Sequence, residues 1–523
     1  MIEIKIDNQL VKIKEGTTVL KAAESIGIEI PTMCFLMDEF SNHPSCMVCI
    51  VKNKKTGELF PSCAMAAIDG MDIICNDLEV KEARKEALEL LLSDHVGDCE
   101  APCRLSCPAF MDIPKMNRLI AESKFDEALQ LVKEDIALPL ILGYICSAPC
   151  EGACRRKQVD NPVSICLLKR FVADIDIKKE SVYLPKKKTK TNKHVAIIGS
   201  GPAGLACAFH FLKEGHDCTI FEKNDKIGGS LLNISENELP INALNDEIEI
   251  IKQFGAEFEL NSEITPEIFE NKLKNKYDAI ILATGDFDNS NLKEFKLEFD
   301  KSGIKSINGT YATDINKVFA CGSVLRHHKM AIRALAQGKE AASSVNSFLV
   351  GNGPTEIQKL FNSRFGKLSD SEIEEYKKES IPDNRVESSK GNLSGFNKEE
   401  AILEAKRCLR CDCRKPNSCK LRIYADEYGA NQKKYSFGER KHLKKYLQHN
   451  EVVYESEKCI RCGLCIDITS SEKELTGLTY IGRGFNVKIE IPFNKTLDEA
   501  LTIAAHKCVL ACPTGALAFK KGE

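Results

Sequence analysis

Apolar and polar residues alternate at the start of the chain, in two short runs from Ile2 to Ile6 and from Leu10 to Ile13. That period of two predicts a β-hairpin turning at Asn8-Gln9. The period then changes. Thr17 or Thr18 can cap a helix whose apolar face is Val19, Leu20, Ala23 and Ile26 and which Gly27 ends. From about residue 79 to 180 the pattern is helical, broken by Pro and Cys. Lys186 to Lys193 is basic and polar, as a solvated linker would be. At His194 a strand–helix–strand pattern begins and continues to about residue 350. Residues 351–400 are rich in Ser, Asn, Lys and Glu, which predicts a connecting arm. Cysteine-rich segments fill the remainder.

With 523 residues, three or more domains are expected. A net charge of -3 and the absence of any apolar run of spanning length give no reason to expect nucleic acid or a membrane span as a partner. Met1 to Ile6 lacks the charged start and apolar stretch of a signal peptide, so a cytoplasmic location is expected. In a reducing compartment the 24 cysteines point to metal ligation rather than disulfides. Most fall in four groups, near 34–63, 99–154, 408–419 and 459–512.

Cys34-x11-Cys46-x2-Cys49-x13-Cys63 offers the four thiolates that a [2Fe-2S] cluster needs. The hairpin–helix lead-in and Pro31-Thr-Met-Cys34 resemble the plant-type ferredoxin domain at the start of complex I large subunits and iron-only hydrogenases. The resemblance covers residues 1–78 and implies a β-grasp electron port. Farther on, Cys99-x3-Cys103-x3-Cys107 and Cys146-x3-Cys150-x3-Cys154 are separated by an amphipathic stretch. Their surroundings, from Cys107-Pro-Ala-Phe-Met-Asp-Ile-Pro to Leu167-Leu-Lys-Arg-Phe171, resemble the N-terminal domain of glutamate synthase small subunits and dihydropyrimidine dehydrogenase. By that resemblance residues 79–185 form a helical domain with two [4Fe-4S] clusters. Cys99, Cys103 and Cys154 serve one of them, and Cys107, Cys146 and Cys150 the other. His95 stands where the family's first cysteine belongs, and imidazole is a plausible iron ligand. For the second cluster Lys169 is a poor ligand while protonated; Cys166, about one helical turn earlier, is either the substitute or a core thiol.

Val195-Ala-Ile-Ile-Gly199-Ser-Gly201-Pro202-Ala203-Gly204 follows a strand and opens a helix, and Glu222 ends the next strand where a ribose partner is expected. Gly199 permits the tight turn, Gly201 lets pyrophosphate approach the helix N-terminus, and Gly204 lets helix and strand pack. Gly228-Gly229, Ala283-Thr284-Gly285 and the closing Val318-Phe-Ala-Cys-Gly322 resemble the two-dinucleotide flavoproteins, specifically the glutamate synthase small subunit. The resemblance implies FAD in a Rossmann-like domain over 193–350, with Ser323 replacing an Asp that bonds the ribityl chain. It also implies a helix near His328-Lys329-Met330 whose N-terminus faces the flavin. In that family a second dinucleotide domain stands between the Ala-Thr-Gly and closing motifs. Only about thirty residues separate them here, too few for such a domain.

Cys408-x2-Cys411-x-Cys413-x5-Cys419, within a segment 401–430, supplies four close thiolates, for which [4Fe-4S] is favoured over tetrahedral zinc. Over 450–523, Cys459-x2-Cys462-x2-Cys465 and Cys508-x3-Cys512-Pro513 resemble the two-cluster ferredoxin module of complex I and hydrogenase subunits, with one of its two sites lost. Cys459, Cys462, Cys465 and Cys512 then hold one cluster, and Cys508 is a spare or alternative ligand. The expected fold is thus multidomain, α+β and α/β. It comprises a β-grasp ferredoxin, a helical two-cluster domain, a Rossmann-like FAD domain and a C-terminal ferredoxin-like domain. The implied function is an electron-transfer subunit of an anaerobic oxidoreductase, with about 18 irons. Its partners would be hydrogenase, formate dehydrogenase or NADH dehydrogenase subunits, or ferredoxin. A stand-alone NAD(P)H reductase and a non-enzymatic scaffold with a decayed flavin site are the alternatives.

Overall fold

The computed structural model describes all residues except 37–43, 287–293, 308, 390, 436–440 and 442, and leaves the side chains of residues 392 and 485 aside. The chain forms two compact bodies. The first gathers Met1–Ala101, Leu360–Lys378 and Cys411–Glu523, and the second Pro102–Lys359 and Glu379–Arg410.

In the first body, strands β1 (Ile2–Ile6), β2 (Gln9–Ile13), β3 (Ile50–Asn53), β4 (Leu59–Pro61) and β5 (Asp72–Ile74) form a mixed sheet in the order β2-β1-β5-β3-β4. The hairpin turns one residue earlier than expected. Ile6 pairs with Gln9, and Asp7 and Asn8 take the left-handed conformations of a two-residue turn, which these short polar side chains tolerate. Helix α1 (Val19–Glu24) is capped by Thr18, whose hydroxyl accepts from the Lys21 amide. Val19, Leu20, Ala22 and Ala23 of α1 share one core with Ile4, Ile6, Val11, Ile13 and Ile73 of the sheet.

The first body continues past residue 78. Helix α2 (Leu78–Asp94), capped by Asp77, packs on β3 and on the helix Lys420–Glu427. Arg84 on α2 donates from Nε to the Ile50 carbonyl at 3.0 Å and from Nη1 to the Tyr428 hydroxyl at 3.1 Å. The N-terminal segment of this compact body runs to Ala101. In the C-terminal part of this body, Val452–Glu455 pairs antiparallel with Lys445–Tyr446 and with Leu517–Phe519.

The second body begins with helices α3 (Pro102–Ser106), α4 (Ile113–Ala121), α5 (Phe125–Asp135), α6 (Pro139–Ile145), α7 (Pro149–Gly152) and α8 (Ile165–Ile177). A parallel sheet follows, of β6 (His194–Ile198), β7 (Asp217–Phe221), β8 (Glu257–Glu259), β9 (Ala279–Leu282) and β10 (Val318–Ala320), in the order β10-β9-β6-β7-β8. Its strands are largely apolar because both faces are covered. Helix α9 (Pro202–Glu214) and the long helix Ala331–Leu349 pack closely on one another. Lys186 to Lys190 are exposed, as expected of a linker.

The expected arm over 351–400 is divided between the bodies, and so is the 401–430 segment. The cause in the second body is a buried charge network. Arg156 and Arg407 are 1% and 0% exposed. Both donate to Asp160 at 2.8 Å, and Arg407 also donates to Glu404 at 2.7 Å. Arg156 reaches the carbonyls of Ile381 and Arg407 as well, which fixes the returning segment to the helical part.

Removing one partner of such a network strands the others without water. Arg407→Ala is expected to cost about 3–5 kcal/mol, read from the urea midpoint of the full chain. A second prediction concerns pH. Burial, with the Lys339 and Lys213 ammonium groups, pushes His210 on α9 down to about 3. The folded state therefore keeps this imidazole neutral while the unfolded chain protonates it below about 6.5. Its contribution is fully present above that pH and is lost toward pH 3, at about 1.4 kcal/mol per pH unit. His210→Leu should flatten that part of the stability profile between pH 7.5 and 5.5.

Candidate functional site

One candidate site is a cavity of about 890 Å³ in the second body, at the carboxyl ends of β6, β7 and β9. Gly199, Gly201, Pro202, Ala203, Glu222, Gly229, Thr284, Gly285, Gly322 and Ser323 all line it, so the structure brings together every predicted nucleotide-site residue except Gly204. Gly204 acts behind the wall, where a Cβ would lie 2.0 Å from the Gly199 carbonyl oxygen. Gly199 itself has φ +107°, and a side chain there would strike the Ala283 carbonyl.

The cavity chemistry fits a dinucleotide. A Cβ on Gly201 would meet nothing within 4 Å, so the helix start stands open to an approaching phosphate. The Thr284 hydroxyl is buried without a hydrogen-bond partner, an acceptor and donor waiting in the wall. Glu222 is held for use. Its Oε2 accepts from the Ser200 amide and hydroxyl at 3.1 and 2.6 Å, and its Oε1 accepts from the Asn224 amide at 3.0 Å. The Ser200 hydroxyl in turn accepts from the Gly228 amide at 3.2 Å. Ser200 is the unspecified position of the glycine motif, so no sequence signal marked it.

The far wall comes from His327, His328, Lys329, Met330 and Ala331, at the start of the helix Ala331–Leu349. His328 lies 3.2 Å from Gln337 Oε1, which also accepts from the Gly322 amide at 2.9 Å. Between Gly285 and Val318 the described residues include a helical residue at Glu294 and two isolated bridges, Phe299 with Ile304 and Ala312 with Phe319. Cys207 and Cys321 lie behind the site as a buried thiol pair 3.5 Å apart, and Cys218 is core.

Tyr144, Ile145 and Cys146 line the same cavity. Cys146 caps the C-terminal end of α6, and the Ser147 hydroxyl after it meets Met330 Sδ at 3.2 Å. Around Cys146 the structure gathers Cys107, Cys150 and Cys166. The Cys166 thiol, on α8, hydrogen-bonds with Cys146 and Cys150; the Cys146 contact lowers its pKa, but the Cys150 contact and burial outweigh it and push the thiol up to about 12. Lys169 is fully buried among these sulfurs. Burial opposes its charge, but the neighbouring Cys166, Cys146, Cys150 and Cys107 outweigh burial and raise its pKa. Elsewhere in this body Cys154 lies within electrostatic reach of Cys408, and α3, which carries Cys103, packs against α7.

In the first body Cys34 Sγ is 3.3 Å from Cys46 Sγ, and Cys63 hydrogen-bonds to both Cys34 and Cys49, so the four predicted two-iron ligands meet. Cys459, Cys462, Cys465 and Cys512 line one small cavity with Tyr454, Ile460, Leu464, Ile489 and Leu517. Cys508 points elsewhere, toward the Cys465 carbonyl at 3.8 Å, which leaves Cys512 as the fourth thiol of that cavity. His95 is buried with Nδ1 3.1 Å from the Lys458 carbonyl, and burial and the Lys458 charge push it down to about 4, so its imidazole is neutral.

The expected grouping of Cys408, Cys411, Cys413 and Cys419 falls across the two bodies, Cys408 in the second and the other three in the first. Cys408 lies within electrostatic reach of Cys154. In the first body the Cys413 amide donates to the Cys99 carbonyl at 3.2 Å. Among the described residues, no group of three or more His, Cys, Asp or Glu closes tightly enough to hold a single metal ion.

Three families match along the chain. Residues 1–76 match the 2Fe-2S iron-sulfur cluster binding domain, 72–181 the dihydropyrimidine dehydrogenase domain II, 4Fe-4S cluster, and 170–338 the pyridine nucleotide-disulphide oxidoreductases. The chain joins two iron–sulfur domains to an oxidoreductase domain. It is 39% identical over 188 residues to the NADPH-Fe(3+) oxidoreductase subunit beta of Geobacter sulfurreducens, a match covering 35% of this chain and 28% of that one. To the NADP(+)-dependent formate dehydrogenase subunit beta of Moorella thermoacetica it is 36% identical over 207 residues, 35% of this chain and 29% of that one. To the glutamate synthase [NADPH] small chain of Bacillus subtilis it is 37% identical over 180 residues, 34% of this chain and 36% of that one. The chain thus matches roughly a third of these relatives' own lengths. Among the described residues no helix is long and apolar enough to cross a membrane.

Glu222 gives the nucleotide site a direct test. Losing a charged hydrogen-bonding group of this kind costs about 1.5–3 kcal/mol. Glu222→Ala is expected to weaken FAD binding about 10- to 100-fold, measured by flavin fluorescence during ultrafiltration.

Proposed function

We propose that this chain is an electron-transfer subunit of a larger oxidoreductase, in which FAD in the second body exchanges electrons with iron–sulfur clusters. One observation carries the reading: Cys146, a predicted cluster ligand, forms part of the wall of the cavity built by Gly199, Glu222 and Thr284. A cluster held by Cys107, Cys146, Cys150 and Cys166 would therefore adjoin the flavin. Bound FAD supplies the conversion between two-electron and one-electron transfer.

The protein's own contribution is electrostatic and positional. Lys169 places a buried positive charge among the four thiols, where it offsets the cluster's negative charge and raises its potential. Gly201 and the start of α9 present backbone amides to the pyrophosphate, and Glu222 is placed for the ribose. In the first body, Cys34, Cys46, Cys49 and Cys63 would hold a [2Fe-2S] cluster and Cys459, Cys462, Cys465 and Cys512 a [4Fe-4S] cluster. Four [4Fe-4S] clusters and one [2Fe-2S] cluster in all are the proposed complement. Redox subunits of the hydrogenase, formate dehydrogenase or NADH dehydrogenase type, or ferredoxin, are the proposed partners.

A second reading, a reductase that takes electrons directly from NAD(P)H, is favoured by the names of the relatives, which act with NADPH or NADP(+). Anaerobic titration of the iron-loaded chain with NADH and NADPH, followed by flavin bleaching, separates the two. The subunit reading expects reduction by dithionite and none by either nucleotide. Rapid stoichiometric bleaching by one of them would make the reductase reading correct, and a purified chain without a flavin band would exclude both.

A further inference from the structure

We infer that Cys99, Cys413 and Cys419 ligate one and the same iron–sulfur cluster in the first body. The inference rests on the reading of the chain as an iron–sulfur protein. It replaces two assignments that the sequence favours, a self-contained site within 408–419 and a place for Cys99 beside Cys103 and Cys154.

The three thiols come from segments more than three hundred residues apart and are held together by backbone as well as side chains. The Cys413 amide donates to the Cys99 carbonyl at 3.2 Å. The Cys99 amide donates to the Ser363 carbonyl at 3.2 Å, and the Ser363 amide donates back to Cys99 Sγ at 3.4 Å. Such an N–H bond to sulfur stabilises a thiolate. Cys419 precedes the helix Lys420–Glu427, whose Leu421 amide reaches the Pro513 carbonyl at 3.4 Å. On the other side of Cys413 the backbone of Gly515 passes so close that a Cβ there would lie 2.3 Å from Cys413 Sγ. The position tolerates no side chain.

The surroundings are those of a ligand set rather than of core thiols. A buried thiol in a hydrophobic core needs only apolar neighbours. Here all three are more than 90% buried, yet two buried cations accompany them. Arg422, paired with Glu100 at 2.7 Å, stands within electrostatic reach of Cys99, and Lys458, paired with Glu455 at 2.6 Å, within reach of Cys413. Each cation already has a buried carboxylate partner, and it would also offset part of the negative charge of thiolates bound to iron. Cys419 also shares an apolar core with Cys34 and Cys46 of the two-iron site and with Cys462 of the C-terminal site. A cluster on Cys99, Cys413 and Cys419 would stand beside both, in position to relay between them.

The test uses the full chain, reconstituted anaerobically with iron and sulfide, and reads iron per chain together with the low-temperature EPR spectrum after dithionite reduction. Cys99→Ala, Cys413→Ala and Cys419→Ala are each expected to lose the same EPR component and about four irons, and the triple variant to lose no more than any single one. Cys408→Ala should remove a different component. Gly515→Ala, which removes no ligand, should shift or broaden the component lost in Cys413→Ala and leave the others and the flavin band unchanged; where a Cys→Ala chain fails to fold, Cys99→Ser, Cys413→Ser and Cys419→Ser, which keep the side-chain size, are each expected to shift that same component. The inference falls if Cys408, Cys413 and Cys419 share a component that Cys99→Ala leaves intact, if Cys99→Ala and Cys413→Ala remove different components, or if Gly515→Ala leaves every component unchanged. A wild-type chain that takes up no cluster at all would instead overturn the iron–sulfur reading itself.

Discussion

Two buried guanidinium groups hold the second body's architecture. Arg156 follows Cys154 by two residues, Arg407 precedes Cys408 directly, and both depend on Asp160. Neither can be buried without its carboxylate, and neither carboxylate without its cation. The network therefore requires the chain to return, after some two hundred and fifty residues, to the segment between α7 and α8. A similar constraint acts in the first body. Glu455 is buried with Lys458, Lys445 and Arg414 around it, and its carboxyl is held low, at about 2, because those charges outweigh its burial. In both bodies buried cations adjoin cysteines, Arg156 beside Cys154, Arg407 beside Cys408, Arg414 beside Cys413 and Lys458 beside Cys459, so groups that are costly to misplace also help to position the thiols.

The same logic describes the site around Cys146. Lys169 would be an expensive residue to bury alone. Four sulfurs surround it, and one of them, Cys146, also lines the nucleotide-motif cavity. Sheet topology supplies the other half of the arrangement: the ends of β6, β7 and β9 leave the crevice, and the α6–α7 connection carrying Cys146 forms part of its wall.

Much of this was legible from residues alone because it is local. The period-two start, the Thr18 cap, the glycine motif with Glu222, and the short spacings Cys46-x2-Cys49 and Cys459-x2-Cys462-x2-Cys465 each concern residues close enough in the chain to constrain one another directly. The hairpin turn was misplaced by one residue because two adjacent positions, Asp7 and Asn8, both accept the left-handed conformation, and only the strand register chooses between the alternatives. Ser200 escaped notice because its role lies in holding Glu222 and Gly228, and the motif leaves that position free.

By itself the sequence determined the kinds of chemistry and the local elements: thiols in ligand-like runs, a nucleotide-binding turn, helices and strands in order. Tertiary structure decided the partnerships. Cys166 faces Cys146 and Cys150 because α8 packs on α6, Cys512 rather than Cys508 enters the C-terminal cavity, and Cys413 meets Cys99 rather than Cys408's neighbours. The physical reason is that spacing limits only ligands a few residues apart. Ligands hundreds of residues apart are selected by the buried charges and packed helices that bring their segments back together.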